Sequence, residues 1–362
     1  MNIHQTRILI IIGAISFGIA VLGMGRLLFI SHSFQNLVPS PIIRIVHHSK
    51  DPMLATSTSD GKLYQYVVFA FDGSRSLIEW RKTIDFASSM KTAGAPLYFT
   101  YFINAIYLVP ETHKDMYHPP HNPVGMSMIG YGTTAAEIGA RIALINEAYQ
   151  SGHEIGSHGV GHIPGYKWNT DDWKSELTQF KSILARARNG IDTTVSLTVP
   201  EDAIVGFRAP DLAVGTGLDI ALDSLGYRYD ASHTNELGMW PHRSGKHMEV
   251  PLALIPYEST STILSMDYNF YISDSHAHDI LKKGTPLWQR KHDDMLAAYM
   301  NYFKSNYNGN RAPIFIGHHF SEWNDGLYWD VMQEAARAMC CKPDVRCATY
   351  QETLDYLQNI KK

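Results

Sequence analysis

The chain of 362 residues is 45% hydrophobic and 18% charged, a composition that supports a buried core and excludes wholesale disorder. Its 31 Lys and Arg against 35 Asp and Glu give a formal net charge of -4, which excludes the basic excess that binding to nucleic-acid phosphates demands.

The first element is an uncharged run over residues 8–25, extended by residues 27–30 after Arg26. A helix of that length matches a bilayer core. No small-x-small cleavage site precedes Ser31, so residues 1–30 are expected to be an uncleaved signal anchor, with a cleaved signal peptide as the alternative. Arg7 ahead of the run keeps the N-terminus cytoplasmic and sends the remainder outward. The expected setting is a single-pass cell-membrane protein with a periplasmic or extracellular domain, or a secreted protein. Pro39, Pro41, Pro52 and a Ser/Thr cluster make residues 31–62 a linker, and the folded domain is expected over residues 63–362.

Residues 64–71 (YQYVVFAF) form a short apolar run before Gly73, and residues 76–90 carry Leu77, Trp80, Ile84 and Ala87 at helical spacing. This strand and helix are followed by a strand at 97–103, a long insertion at 110–132, a helix at 134–150, a strand within 153–158, and a helix at 171–188 capped by Thr170. A strand at 203–207, a helix at 218–225 ending at Gly226, and a strand at 227–229 continue the alternation. Beyond Asp230 the pattern predicts strands at 249–254 and 262–266, a loop rich in His and Asp, and a helix at 286–306. The last part predicts a strand at 313–317, a helix at 328–339, a strand at 346–349 and a final helix from Gln351. Such alternation implies a parallel sheet or barrel with right-handed crossovers. In an oxidising compartment Cys340 is expected to pair with Cys347, because adjacent cysteines rarely meet with good geometry and Pro343 can turn the loop; Cys341 is left as a thiol.

In a parallel barrel, chemistry collects where strands end. The polar residues at those points are Asp72, His158, Arg208, Asp230, His318 and His319. Any one of them alone is more often a turn residue or helix cap. His158 and His162, in SHGVGH, are four apart, which on one helical turn would aim both imidazoles at one point. Gly159, Gly161 and Pro164 argue instead for an irregular loop, so a metal-binding pair and two surface histidines both fit.

Together, FAFDGS (69–74), HEIGSHGVGH (153–162), GFRAP (206–210), YDAS (229–232) with Trp240 and Pro241, and IFIGHHF (314–320) resemble, in order and spacing, the five motifs of polysaccharide deacetylases, carbohydrate esterase family four. The resemblance is to the chitin deacetylase-like branch in particular and covers about residues 64–358. It implies an α/β fold, a distorted and partly incomplete (β/α) barrel, preceded here by the N-terminal membrane-spanning or signal helix. It implies hydrolysis of N-acetyl groups on the amino sugars of an oligo- or polysaccharide, with one divalent metal ion, Zn expected. By position, Asp72 resembles the catalytic base, His158 and His162 the metal ligands, and Arg208 the residue that orients and charges the base. The general acid would be His319 or His318; adjacent strand residues alternate in direction, so both cannot point inward, and His319 is ranked first.

Trp240, Pro210 and Asp267 are candidate saccharide contacts, whereas Tyr268, Phe270 and Tyr271 read more readily as core. One departure stands out. Gly73 occupies the place where the family carries a second, metal-binding carboxylate. Asp72 itself, water, Asp211 or Asp267 would then complete the ligand set. The missing carboxylate keeps a second reading open, a catalytically inactive saccharide-binding protein on the same barrel. Expected partners are an acetylated saccharide and, through the N-terminal helix, a membrane, but no nucleic acid.

Overall fold

The computed structural model describes Ser57 and residues 61–258 and 261–360. The expected anchor over 1–30 and nearly all of the expected linker over 31–62 lie outside the described residues. Among the described residues no helix is long and apolar enough to cross a membrane.

The first half alternates strand and helix: β1 (Gln65–Asp72), α1 (Leu77–Thr92), β2 (Thr100–Ile103), α2 (Ala135–Gln150), β3 (Glu154–Ser157), α3 (Thr170–Arg188), β4 (Gly206–Phe207), α4 (Leu218–Leu225) and β5 (Tyr229–Asp230). Short strands follow, β6 (Thr234–Glu236), β7 (His242–Ser244), β8 (His247–Glu249), β9 (Leu252–Tyr257) and β10 (Ser261–Leu264). The chain ends with α5 (Asp267–Ser275), α6 (Pro286–Asn308), β11 (Ile314–His319), α7 (Trp323–Cys340), β12 (Val345–Cys347) and α8 (Tyr350–Ile360). The main sheet has the order β11-β1-β2-β3-β4-β5-β8-β7, with β12 also paired to β1. Its pairs from β11 to β8 are parallel, and β7 joins β8 antiparallel. The sheet curls into a half-barrel, the distorted α/β barrel expected. A smaller sheet, β10-β9-β6, approaches its β11 edge, where Gly317 N donates to Ser265 O at 2.9 Å.

Strand alternation sorts the core into two layers. On β1, Val67, Phe69 and Phe71 join the large apolar cluster that also takes in residues of the surrounding helices, while Tyr66, Val68 and Ala70 face the inside of the curl. Inside, Tyr229 and Phe315 stack on Tyr350 of α8 with ring centroids 5.1 and 4.9 Å apart. Residues that continue the inward parity past the apolar stretch emerge at the C-terminal mouth of the sheet. Asp72 is one of them.

Several boundaries differ from the sequence reading, for local reasons. The strand expected at 203–207 is cut to two residues because a 3-10 turn, Glu201–Ala203, precedes it. The strand expected at 249–254 is two strands, β8 and β9, separated at Val250 and Pro251; proline has no N–H for a ladder. The cap of α3 is Asn169, not Thr170: its side chain accepts from the N–H groups of Asp171 and Asp172, while Asp172 accepts from Asn169 N at 3.0 Å, a capping box. Helix α5 was not foreseen, since the aromatic-rich DYNFYISDS has weak helix propensity; burial of Phe270 and Tyr271 outweighs it. Cys340 and Cys347 form the expected disulfide, joining the end of α7 to β12, and Cys341 is exposed and free.

Candidate active site

The first two partners meet across the inside of the curl. Arg208 follows β4 and Asp72 ends β1; Nη1 of the guanidinium lies 3.0 Å from Oδ1 of the carboxylate, and the residues are 0% and 2% exposed. Arg208 Nη2 donates to the Tyr350 hydroxyl at 2.8 Å and Nε to the Ala231 carbonyl at 3.2 Å, with Phe102 under the guanidinium plane at 4.4 Å. Three separate donations and a ring face therefore set its orientation, and a buried charge so held is matched by its carboxylate.

His158 follows β3 in the same inward parity. Its Nδ1 lies 2.8 Å from the Arg208 carbonyl oxygen, to which it donates, so the lone pair is on Nε2. Burial pushes its pKa down to about 3, which keeps the ring neutral and able to act as a ligand. His162, also lowered by burial, turns back toward it through a left-handed residue (φ 57°), and the two ring centroids are 5.0 Å apart. The chain between them is irregular, as its glycines foretold, and its backbone is held from outside. Val160 N donates to Glu176 Oε1 at 2.7 Å, Tyr117 donates to Glu176 Oε2 at 2.9 Å, and Asn104 Nδ2 donates to the His158 carbonyl at 2.7 Å. Burial raises the Glu176 pKa to about 7. Glu176, Asn104 and Tyr350 were missed by sequence reasoning. The available signal was an acidic residue on the apolar face of α3, beside Trp173, Leu177 and Phe180.

The register of β1 against β11 pairs Asp72 with His319 and Phe71 with His318. His319 thus shares the inward side with Asp72. Its Nδ1 lies 2.7 Å from Asp267 Oδ1, and its backbone N–H donates to Asp267 Oδ2 at 2.8 Å. Burial disfavours the charged ring, but the Asp267 carboxylate outweighs it and raises the His319 pKa; for Asp267 burial is likewise outweighed, by His319 and then His318, which hold it well below the usual carboxylate range. The side chain of His319 is 24% exposed, whereas that of His318 is 2% exposed, packed against Phe71 with Nε2 3.2 Å from the Tyr299 hydroxyl.

Two candidate saccharide contacts are placed elsewhere. Asp267 is 1% exposed with both oxygens engaged by His319, so it stands behind that ring and is available neither to sugar nor to metal. Pro210 is buried and backs onto Gly159. Trp240 is half-buried at the margin of the inner cluster, where Leu212 and Tyr268 also lie. Tyr268 flanks His319 with centroids 5.8 Å apart and Trp323 lies 5.3 Å from the same ring, while Phe270 and Tyr271 are core. Asp211 lies close enough for its charge to act on His162, with a left-handed φ of 55°.

The neutral, free-nitrogen pair His158 and His162 fits a divalent ion as far as it goes. Among the described residues, the group of three His, Cys, Asp or Glu donors lying within 4.8 Å of one another does not include them: it is Asp219, Asp230 and His233. Gly73 has φ of 76° and open space around a Cβ placed on it.

No family model matches the chain, and no curated protein matches it in sequence. Its fold does have solved counterparts. A Mycobacterium smegmatis protein described as a polysaccharide deacetylase superposes with a TM-score of 0.51 at 13% identity, covering 82% of this chain and 91% of that one. A Pseudomonas aeruginosa PAO1 protein described in the same terms superposes with a TM-score of 0.50 at 12% identity, covering 81% and 91%. With a curled parallel sheet whose C-terminal mouth gathers Asp72, His158, Arg208 and His319, the chain has the polysaccharide deacetylase fold.

Proposed function

We propose that the protein is a metal-dependent hydrolase that removes N-acetyl groups from amino-sugar residues of an oligo- or polysaccharide. The observation that carries this reading is the convergence, at the ends of different strands, of an Arg-held carboxylate, a neutral histidine with His162 of the following loop beside it, and an Asp-held histidine. His158 and His162 would hold the ion, Zn being expected, which when bound supplies Lewis acidity to the acetyl carbonyl and to water. Asp72 takes the proton of the attacking water, and Arg208, 3.0 Å from it, holds that carboxylate in place. His319, kept protonated by Asp267, delivers a proton to the departing amine, which without it is a very poor leaving group. Trp240, Tyr268 and Trp323 offer ring faces on which a sugar can stack.

The test is release of acetate from N-acetylglucosamine oligomers by the full chain supplied with Zn²⁺, compared with its Asp72→Asn variant. Turnover in the wild type and none in the variant is the expected result. Gly73, and the lack among the described residues of a third donor grouped within 4.8 Å of the histidine pair, favour the other reading, a saccharide-binding protein without turnover. A chain that binds such oligomers but releases no acetate with any divalent metal supports that reading and overturns the first.

The same proposal places residues 1–30 in a membrane and the domain from residue 63 outside the cytoplasm. The Cys340–Cys347 disulfide supports it, since such bonds persist in oxidising compartments. Retention in the membrane fraction after a carbonate wash is expected, and intact soluble protein in the cytosol overturns it.

A further inference from the structure

Beside the mouth of the sheet, one oxygen each of Asp219 and Asp230 and one nitrogen of His233 lie within 4.8 Å of one another. Asp219 stands in the first turn of α4, Asp230 ends β5 and His233 follows it. Asp230 is completely buried. Its Oδ1 accepts from Ser232 N at 2.9 Å and from the Ser232 hydroxyl, so its second oxygen, Oδ2, is the one turned toward the group. Oδ2 lies 3.2 Å from His233 Nε2, yet neither atom has an aligned hydrogen-bond partner. Two donor atoms at that separation have the spacing of neighbouring ligands around one small cation, for which metal–ligand bonds of about 2.0–2.2 Å are usual.

A second observation comes from a residue outside the trio. His247 on β8 is completely buried, and its Nδ1 lies 2.8 Å from Asp223 Oδ1, to which it donates. Its Nε2 has no hydrogen-bond partner and lies 3.6 Å from Asp219 Oδ1. A histidine anchored by a carboxylate at one nitrogen and left open at the other is the arrangement in which proteins present imidazole to metals.

We propose that Asp219, Asp230 and His233, with His247 at the margin, form a second divalent-cation site, distinct from the His158 and His162 pair and independent of the proposed hydrolysis. Two carboxylates with imidazole nitrogen suit a first-row transition ion such as Zn²⁺ or Mn²⁺ better than Ca²⁺ or Mg²⁺, which prefer all-oxygen shells. The ion ties α4 to the segment leaving β5, and so steadies the stretch of chain that leads to Trp240.

The test is equilibrium dialysis of the full chain carrying His158→Ala and His162→Ala against Zn²⁺ alone, with circular dichroism to confirm folding. Binding of about one Zn²⁺ per chain is expected, with affinity falling at least tenfold when Asp219→Asn or His233→Gln is added. Asp219 is on the surface, so its replacement is compatible with folding. If the double variant does not fold, the wild-type chain is dialysed instead, and Asp219→Asn must then lower the Zn²⁺ stoichiometry by one. No Zn²⁺ bound to the folded double variant at millimolar concentration, or binding unaffected by both added substitutions, overturns the proposal and leaves an ordinary His233–Asp230 ion pair.

Discussion

Asp72 and Arg208, 136 residues apart in sequence, meet inside the protein at 3.0 Å with neither side chain more than 3% exposed. Neither charge has water to fall back on, so each depends on the other. Arg208→Leu leaves the Asp72 carboxylate buried without its counter-charge, and a loss of about 3–5 kcal/mol in unfolding free energy is expected from urea titration at neutral pH. A loss under about 1 kcal/mol would mean that the pair is not buried as described.

The second prediction concerns acidity at His319. Asp267 raises the His319 pKa, so the ring stays protonated to a higher pH than an ordinary histidine. If protonated His319 is the acid, activity falls as pH rises through that raised value. Asp267→Asn removes the negative charge, and the alkaline limb of kcat/KM should move to lower pH while the acidic limb stays in place. An unmoved alkaline limb assigns it to another group.

The adjacent histidines should separate cleanly. His319→Ala is expected to lower kcat by about 10²–10⁴-fold and, because it leaves the buried Asp267 carboxylate without its main partner, to lower the thermal midpoint as well. His318→Phe should retain most activity and lose about 1–3 kcal/mol of stability, because the Tyr299 hydroxyl loses its buried partner. The reverse pattern would make His318 the acid.

Glu176 predicts a pH dependence of stability. Its folded pKa is raised from 4.5 to about 7, so between those values the folded chain holds a proton that the unfolded chain has released. Stability therefore falls as pH rises across that window, at up to about 1.4 kcal/mol per pH unit from this group. Denaturation of Glu176→Gln across the same range should show a flatter dependence than the wild type, and an unchanged slope removes Glu176 from the account.

Gly73 is a question of backbone as well as ligand. At φ of 76° with nothing within 4 Å of an added Cβ, the cost of a side chain there is conformational. Gly73→Ala and Gly73→Asp should each lose about 1 kcal/mol. A gain for the Asp variant alone, seen only with Zn²⁺ present, would show the new carboxylate reaching the ion.

Much of this protein is written locally. The apolar run of β1, the 3.6-residue spacing of α1 to α4 and the cysteines at 340 and 347 each report on a few neighbouring residues, and the sequence by itself determined the alternation and hence a parallel sheet or barrel, while the resemblance of its ordered motifs implied the incomplete barrel and the roles of the candidates Asp72, His158, Arg208 and His319. Motif order could not say which of two adjacent histidines faces the mouth, because a single residue of register reverses every side chain on a strand. That was decided by the pairing of Asp72 with His319 across β1 and β11. Nor could sequence assign Asp267, which reads equally as ligand or sugar contact until α5 carries it behind His319. Glu176 and Tyr350 escaped notice for the same reason: their partners lie 16 and 142 residues away, and only tertiary packing brings a buried donor and acceptor to each other. Local chemistry selects the residue types; long-range burial, which forbids an unpaired polar group, selects the partners.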